Sequence, residues 1–269
     1  MTAKMGTVDR KRNLPTTNHQ SELWCIAFGQ NKDEALLQEL LESNHVTPDE
    51  RAERYNPGRT LLSIAASRAS AAIVRIFLAS GKVNPNSRDT KGRTPLSYAA
   101  EEKRVAVVRT LLETNKVDPD SRDDAGRTPL SYAVGGKHDA IAADREAVVT
   151  MLIGSDRVKP DSQDNKGRTP LSYAVDVRSD AIVGQLLSSN RVDPDSRDAN
   201  GRTPLSYAAS EGRDTIARML LDSGKVDPDS RDKNGRNPLS WAARNRPASQ
   251  IFSRSVSYTH LTLPTILRV

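Results

Sequence analysis

One heptapeptide, Thr-Pro-Leu-Ser-Tyr-Ala-Ala, returns along the chain at nearly constant spacing. It stands complete at Thr94–Ala100 and Thr203–Ala209, ends in Val at Thr128–Val134 and Thr169–Val175, and varies at Thr60 (T-L-L-S-I-A-A) and Asn237 (N-P-L-S-W-A-A). Successive copies begin 34, 34, 41, 34 and 34 residues apart. A unit this short cannot enclose a core of its own. It buries an apolar face only against its neighbours, so the period dictates a stack of similar units in which each touches the next.

Each position in the unit has a physical use. The Thr hydroxyl caps a helix start, and Pro falls at the first helical position, where a missing N–H costs nothing. Leu96, Ala99 and Ala100 form the inward stripe of this short helix, and the alanines allow close approach. A second helix follows, with apolar residues at Val107, Val108, Leu111 and Leu112, the i, i+1, i+4, i+5 spacing of one helical face. The same slots hold Ile73, Val74, Phe77 and Leu78, and later Ile182, Val183, Leu186 and Leu187. Next comes V-D-P-D-S-R-D-x-x-G-R, as at Val117–Arg127. Its Pro, Asp and Gly content predicts an extended arm and a turn, with Gly92, Gly126, Gly167, Gly201 and Gly235 supplying a positive φ.

The signature D-x-x-G-R-T-P-L-x-x-A-A followed by V-V-x-x-L-L resembles the ankyrin repeat family over about residues 56–243. The resemblance implies an all-α ankyrin-repeat solenoid of stacked helix-turn-helix units with protruding hairpin-like fingers, and a concave surface that binds proteins. The D-P-D-S-R-D arm and 34-residue period are similar to fungal-type repeats. Three features depart from the family pattern. Ser97, Ser131, Ser172, Ser206 and Ser240 replace the family's His, so only part of that residue's hydrogen bonding is expected to survive. Seven extra residues near 135–141 should bulge between two helices. Leu23–Phe28 with Ala35–Leu41 reads as a degenerate first repeat, with Trp24 and Phe28 sealing the end of the core.

The expected layout is a basic tail (1–20), a capping repeat (21–55), repeats at 56–88, 89–122, 123–163, 164–197 and 198–231, a truncated repeat (232–255) and a terminal tail (256–269). Val256–Thr265 resembles the conceptual translation of a sequencing-library adapter, so the tail reads as non-native, with the last repeat's apolar face left open.

The net charge of +6 suggests nucleic acid until it is located. Residues 1–20 carry +3 and 232–269 carry +5, leaving −2 on residues 21–231. A continuous basic stripe, which phosphate tracking needs, is missing, so no nucleic-acid partner is expected. No apolar run reaches the length of a membrane span, and one cysteine forms no disulfide, so the expected setting is intracellular, cytoplasmic or nuclear.

No catalytic, cofactor or metal site is expected. His19, His45, His138 and His260 have no ligand spacing. Cys25, in the apolar run Trp24–Phe28, reads as a buried inert thiol. Asp118–Gly126 fails the calcium-loop pattern at Arg122 and Asp123. The Arg93, Arg127, Arg168, Arg202, Arg236 series beside Asp89, Asp123, Asp164, Asp198 and Asp232 reads as a structural ion-pair ladder. Tyr98, Tyr132, Tyr173, Tyr207 and Trp241 share one slot, used either for packing or as a stacking platform.

Constant residues build every unit alike, so binding should fall on residues that vary between units. These are the finger tips Thr90, Lys91, Asp124, Ala125, Asn165, Lys166, Ala199, Asn200, Lys233 and Asn234, and the exits of the first helices: Glu101, Glu102, Lys103, Arg104, Asp176, Arg178, Ser210, Glu211 and Arg213. The expected function is a scaffold for a protein partner; the alternative is the targeting or sensor region of a larger signalling NTPase or other enzyme.

Overall fold

The computed structural model describes residues 16–30, 32–43, 46–51, 58–136 and 142–244. Among these are thirteen helices and no strand; the sole bridge joins Arg51 and Thr60. Six antiparallel pairs succeed one another: α1 (Thr16–Ala27) with α2 (Glu34–Glu42), α3 (Leu61–Arg68) with α4 (Ala71–Ala79), and α5 (Pro95–Glu101) with α6 (Val105–Glu113). They continue as α7 (Pro129–Gly135) with α8 (Ala142–Ile153), α9 (Pro170–Asp176) with α10 (Asp180–Ser188), and α11 (Pro204–Glu211) with α12 (Asp214–Asp222). The last described helix, α13 (Pro238–Arg244), takes the first-helix place of a seventh unit. Odd-numbered helices pack on one another from α1 to α13 and even-numbered ones from α2 to α12, giving two layers.

The local chemistry is the same in each unit. The hydroxyls of Thr60, Thr94, Thr128, Thr169 and Thr203 accept the backbone N–H three residues on, at 3.2–3.4 Å. Asn237 does so through its side-chain oxygen at 2.9 Å. The Ser that stands where the family has His lies 3.1–3.3 Å from the same Thr hydroxyl. Thr60, Thr94 and Thr169 also reach Ser87, Ser121 and Ser196 in the following arm, at 2.8, 3.2 and 3.4 Å. A chain of small hydroxyls thus ties cap, helix and arm together, which is the part of the family's network that a Ser can replace.

The core is a ribbon rather than a centre. Leu96, Ala99, Ala100, Val107, Val108 and Leu111 are buried, as are their counterparts from Leu61 to Leu220. At the first end Leu23, Ile26 and Ala27 face inward, and Trp24 lies 6.2 Å from Phe28 as a partial lid. Cys25 is exposed, which corrects the expectation of a buried thiol. With Leu23, Ile26 and Ala27 inward at i, i+3 and i+4, residue 25 falls on the opposite side of α1. At the other end Leu239 is 53% exposed where its counterpart Leu205 is 2% exposed.

Residues 137–141 of the insertion lie outside the described residues. Beyond them α8 runs for 12 residues where its siblings α4, α6, α10 and α12 have nine. Val148 aligns with Val107, so α8 starts about one turn early and takes up part of the insertion as helix. Arg145 in this extra turn is buried and donates to the Gly136 carbonyl at 3.4 Å. The basic tail up to residue 15, His45, His138, His260 and the C-terminal tail also lie outside the described residues.

Candidate protein-binding face

Each finger is built around one Asp. Its Oδ1 accepts the backbone N–H groups two and four residues on, at 2.8 and 2.8 Å for Asp89 and 2.8 and 2.9 Å for Asp164. Asp123, Asp198 and Asp232 repeat the arrangement. The Gly at the turn sits at φ 73–79° in Gly92, Gly126, Gly167, Gly201 and Gly235. At Gly126 a Cβ would also lie 2.8 Å from the backbone nitrogen of Asn165 in the next finger, so the close stacking of fingers excludes a side chain.

Fingers are joined through their backbones. The N–H of Asp124 donates to Lys91, Asn165 to Ala125, Ala199 to Lys166, and Lys233 to Asn200, at 2.8–3.0 Å. A second ladder runs beside this one: the Arg51, Arg88, Arg122 and Arg197 side chains donate to the carbonyls of Arg88, Arg122, Gln163 and Arg231, at 2.7–3.0 Å. Two tip side chains add to these ladders: Asn165 donates to the Asp124 carbonyl at 2.8 Å, and Asp124 lies 3.7 Å from Arg88. Thr90, Lys91, Asp124, Ala125, Asn165, Lys166, Ala199, Asn200, Lys233 and Asn234 are all exposed in one row.

The helix exits divide differently. Glu102, Asp176, Arg178 and Glu211 are exposed, while Glu101, Arg104, Ser210 and Arg213 are half-buried. Arg104 is spent on the carbonyls of Arg68 and Ala69, at 2.9 and 2.8 Å, and Arg213 on Glu211 at 3.3 Å. Lys103 is 5% exposed, so a partner cannot reach it as the sequence reading expects. It occupies the left-handed turn between helices (φ 50°) that Arg178 and Gly212 fill in later units; Arg178 stays exposed there, whereas Lys103 packs against Gly136, where a Cβ would lie 2.9 Å from its Nζ.

Between tips and exits lies a feature that the sequence reading divided into two. The finger Asp Oδ2 accepts the Tyr hydroxyl nine residues on: Tyr132 at 2.6 Å, Tyr173 at 2.7 Å and Tyr207 at 2.7 Å, with Tyr98 on Asp89 alike. Burial and then the bond to Asp push the Tyr98 and Tyr207 hydroxyls up to about 12, and shift Tyr132 and Tyr173 in the same direction. Burial opposes ionisation of Asp164, but bonds from Tyr173 and from the backbone of Arg168 and Lys166 outweigh it and hold the carboxyl below its usual range. The guanidiniums stack on the same rings. Arg59 and Arg93 lie 3.6 and 4.0 Å from the Tyr98 centroid, and Arg93 lies 4.0 Å from Tyr132. Arg127, Arg168, Arg202 and Arg236 cover Tyr132, Tyr173, Tyr207 and Trp241 at 4.0–4.5 Å. Arg202 also spans two units, 4.2 Å from Trp241. At about 0.5–2 kcal/mol per stack, Arg59 on Tyr98, Arg93 on Tyr132 and Arg202 on Trp241 bind unit to unit, and the others brace each unit internally. The aromatic slot is occupied by the protein's own arginines and is not a free platform.

Near the last described unit the face opens into a cavity of about 370 Å³ lined by Asp176, Arg202, Tyr207, Ser210, Glu211, Trp241 and Arg244. Among the described residues no group of His, Cys, Asp or Glu is placed to hold a metal ion, and no helix is long and apolar enough to cross a membrane.

Stacked helix pairs, backbone-linked fingers and a face of variable side chains define the class of helical repeat proteins that act as interaction domains. The family described as ankyrin repeats (3 copies) matches residues 23–123, 84–143, 114–198, 137–232 and 177–252. The chain belongs to the ankyrin repeat family, whose members are protein–protein interaction modules. Among solved structures it is similar to the ankyrin repeat domain of Bcl-3, titled a unique member of the IkappaB protein family, at 24% identity and a TM-score of 0.69, over 85% of this chain and 97% of that one. None of the curated proteins compared with it matches.

Proposed function

We propose that this chain is a scaffold that takes one protein partner across its finger tips and first-helix exits, which form the concave side of the array. The observation that carries the reading is the division of labour within each unit. Residues constant between units are consumed by caps, finger turns and the Arg–Tyr–Asp stack, whereas the tip residues are exposed, change from unit to unit, and sit on fingers already joined through their backbones. Lys91, Lys166 and Arg178 are exposed cations on this face, interleaved with Asp124, Glu102 and Asp176. A mixed pattern of this kind suits recognition of a folded partner by charge complementarity rather than a uniform polyanion. The proposed setting is cytoplasmic or nuclear, supported by the single cysteine.

The test is capture of partner from an extract of the source organism by the wild-type array and two variants. Lys91→Ala, Lys166→Ala and Arg178→Ala together should abolish capture while the melt barely moves, because exposed substitutions cost within about 0.5 kcal/mol each. Arg109→Ala with Arg218→Ala, on exposed positions of α6 and α12, should leave capture intact. Capture that survives the first variant and fails in the second contradicts the reading.

A further inference from the structure

The arginines of the stack do not all have the same ionic partner. Arg93 pairs with Glu101 at 2.5 Å, and Arg127, Arg168 and Arg236 turn onto their own finger Asp at 3.0, 3.1 and 3.0 Å. Arg202 has no carboxylate within ion-pair distance among the described residues. The slot that Glu101 fills beside Arg93 is held beside Arg202 by Ser210, a neutral acceptor at 2.9 Å, as Ser67 holds it beside Arg59 at 2.7 Å. The Nε of Arg202 is buried without a hydrogen-bond partner, as is that of Arg93, so the two sites differ in the carboxylate and not in this atom.

A second donor is left over in the same place. Tyr98, Tyr132, Tyr173 and Tyr207 each deliver a hydroxyl proton to a finger Asp. In the last described unit Trp241 takes that slot, and its indole Nε1–H is buried with no partner. Arg202 and Trp241, together with Arg244, line the cavity described above. Arg202 is held between the Tyr207 and Trp241 rings, so a ligand finds the guanidinium already oriented. Of the two acids on the lining, Glu211 is already paired with Arg213. Asp176 is the remaining acid, set against Arg202 and Arg244, so an incoming anion meets a net positive field.

We propose that this cavity is a subsite for a carboxylate side chain, Glu or Asp, of the partner protein. That carboxylate takes over Arg202 the place that Glu101 takes over Arg93, and accepts the Trp241 N–H that the array itself leaves unused. The chain thus contains the filled form of its own site one hundred and nine residues earlier, at Glu101 against Ser210. Charge-assisted bonds to a guanidinium and an indole favour a carboxylate over a neutral amide of the same shape. The proposal rests on the protein-binding reading and adds to it the chemistry of one anchoring residue.

The chain has two tryptophans, so its indole N–H groups give two resonances in a ¹⁵N-correlated spectrum, and Trp24→Phe assigns them. The probe is a blocked Gly-Glu-Gly peptide, with Gly-Gln-Gly as its neutral counterpart. The Glu peptide should move the Trp241 indole signal saturably, with the Gln peptide roughly tenfold weaker or silent. Ser210→Glu should fill the site in cis: the Trp241 signal starts displaced, no longer responds to peptide, and the melting temperature exceeds that of Ser210→Gln. The proposal is overturned by an equal response to both peptides, by no response to the Glu peptide through the millimolar range, or by an undiminished response in Ser210→Glu. If the Glu peptide fails while the Lys91, Lys166 and Arg178 variant still loses capture, the subsite falls and the protein-binding reading stands. If the peptide binds as expected while capture ignores that variant, the subsite stands and the wider face has been misassigned.

Discussion

Replacing Asp161 with Asn should stabilise the array at neutral pH and do nothing in acid. Asp161 lies on an arm, where its carboxylate accepts the backbone N–H of Asp193 in the next arm, while Oδ1 is buried without a partner. The register of the first arms explains the orphan. Asn86, two units earlier, accepts from the Asp118 N–H at 2.7 Å through its oxygen and donates to the Lys116 carbonyl at 2.7 Å through its amide. The residues in the corresponding places are Asp193 and Arg191. A carboxylate at 161 satisfies the first and has no proton for the second, whereas Asn or a protonated Asp has one. Burial first, then the charge of Asp193, push this carboxyl from 3.8 up to about 6. Two units would be worth about 3 kcal/mol for a fully buried group; half-buried and screened by water, Asp161 should cost the folded state about 1 kcal/mol. The folded pKa is above the unfolded one, so the penalty is absent below about pH 4, grows as pH rises, and is complete above about pH 6. Thermal unfolding of wild type and Asp161→Asn at about pH 7.5 should differ by about 2–4 °C in favour of Asn, and at about pH 4 by nothing. Equal gains at both pH values, or a loss at pH 7.5, would refute the argument.

Three further outcomes follow from the same geometry. Tyr132→Phe removes a buried hydroxyl bond to Asp123 and should cost about 1–2 kcal/mol in urea unfolding; a neutral result would remove the Tyr–Asp contact from the list of stabilising ones. Arg178 holds φ 59° where Gly212 holds 62°, so Gly212→Ala should lose about 1 kcal/mol while Arg178→Gly loses nothing or gains slightly; equal losses in the two would count against the backbone argument. Asp164 is held below the usual carboxylate range, so its stabilisation is present above that range and lost as pH falls through it; in Asp164→Asn that portion of the acid-side loss should be missing from a pH series of melts.

The stack was legible because its determinants are local and repeated: a Thr cap, a Pro at the first helical position, Leu and Ala facing inward. The Arg and aromatic slots were each visible as series. That they form one stack was not, because Arg93 reaches Tyr132 across a unit boundary, and sequence spacing fixes a residue's unit but not the direction of a long side chain. Lys103 was misjudged for a related reason. It varies between units, as a binding residue would, but Gly136 in the next unit leaves room into which its side chain packs, whereas Arg178 in the same left-handed turn stays exposed. Cys25 shows the limit of reading an apolar run without its phase: Ile26 and Ala27 in the run face the core and the cysteine does not. The unpaired donor of Trp241 could have been sought at one departure from the repeat, Trp241 for Tyr, but its meeting with Arg202 in one cavity depends on the stacking of units, and the slot of Ser210 varies from unit to unit.

The central claim is that partner contact falls on the variable face and not on the helices behind it. A benzophenone amino acid installed singly in place of Lys91, Lys166, Arg109 or Arg218, followed by irradiation in an extract of the source organism, tests it directly. Positions 91 and 166 should give the same cross-linked protein and positions 109 and 218 none; adducts confined to 109 and 218 would place the partner on the opposite side.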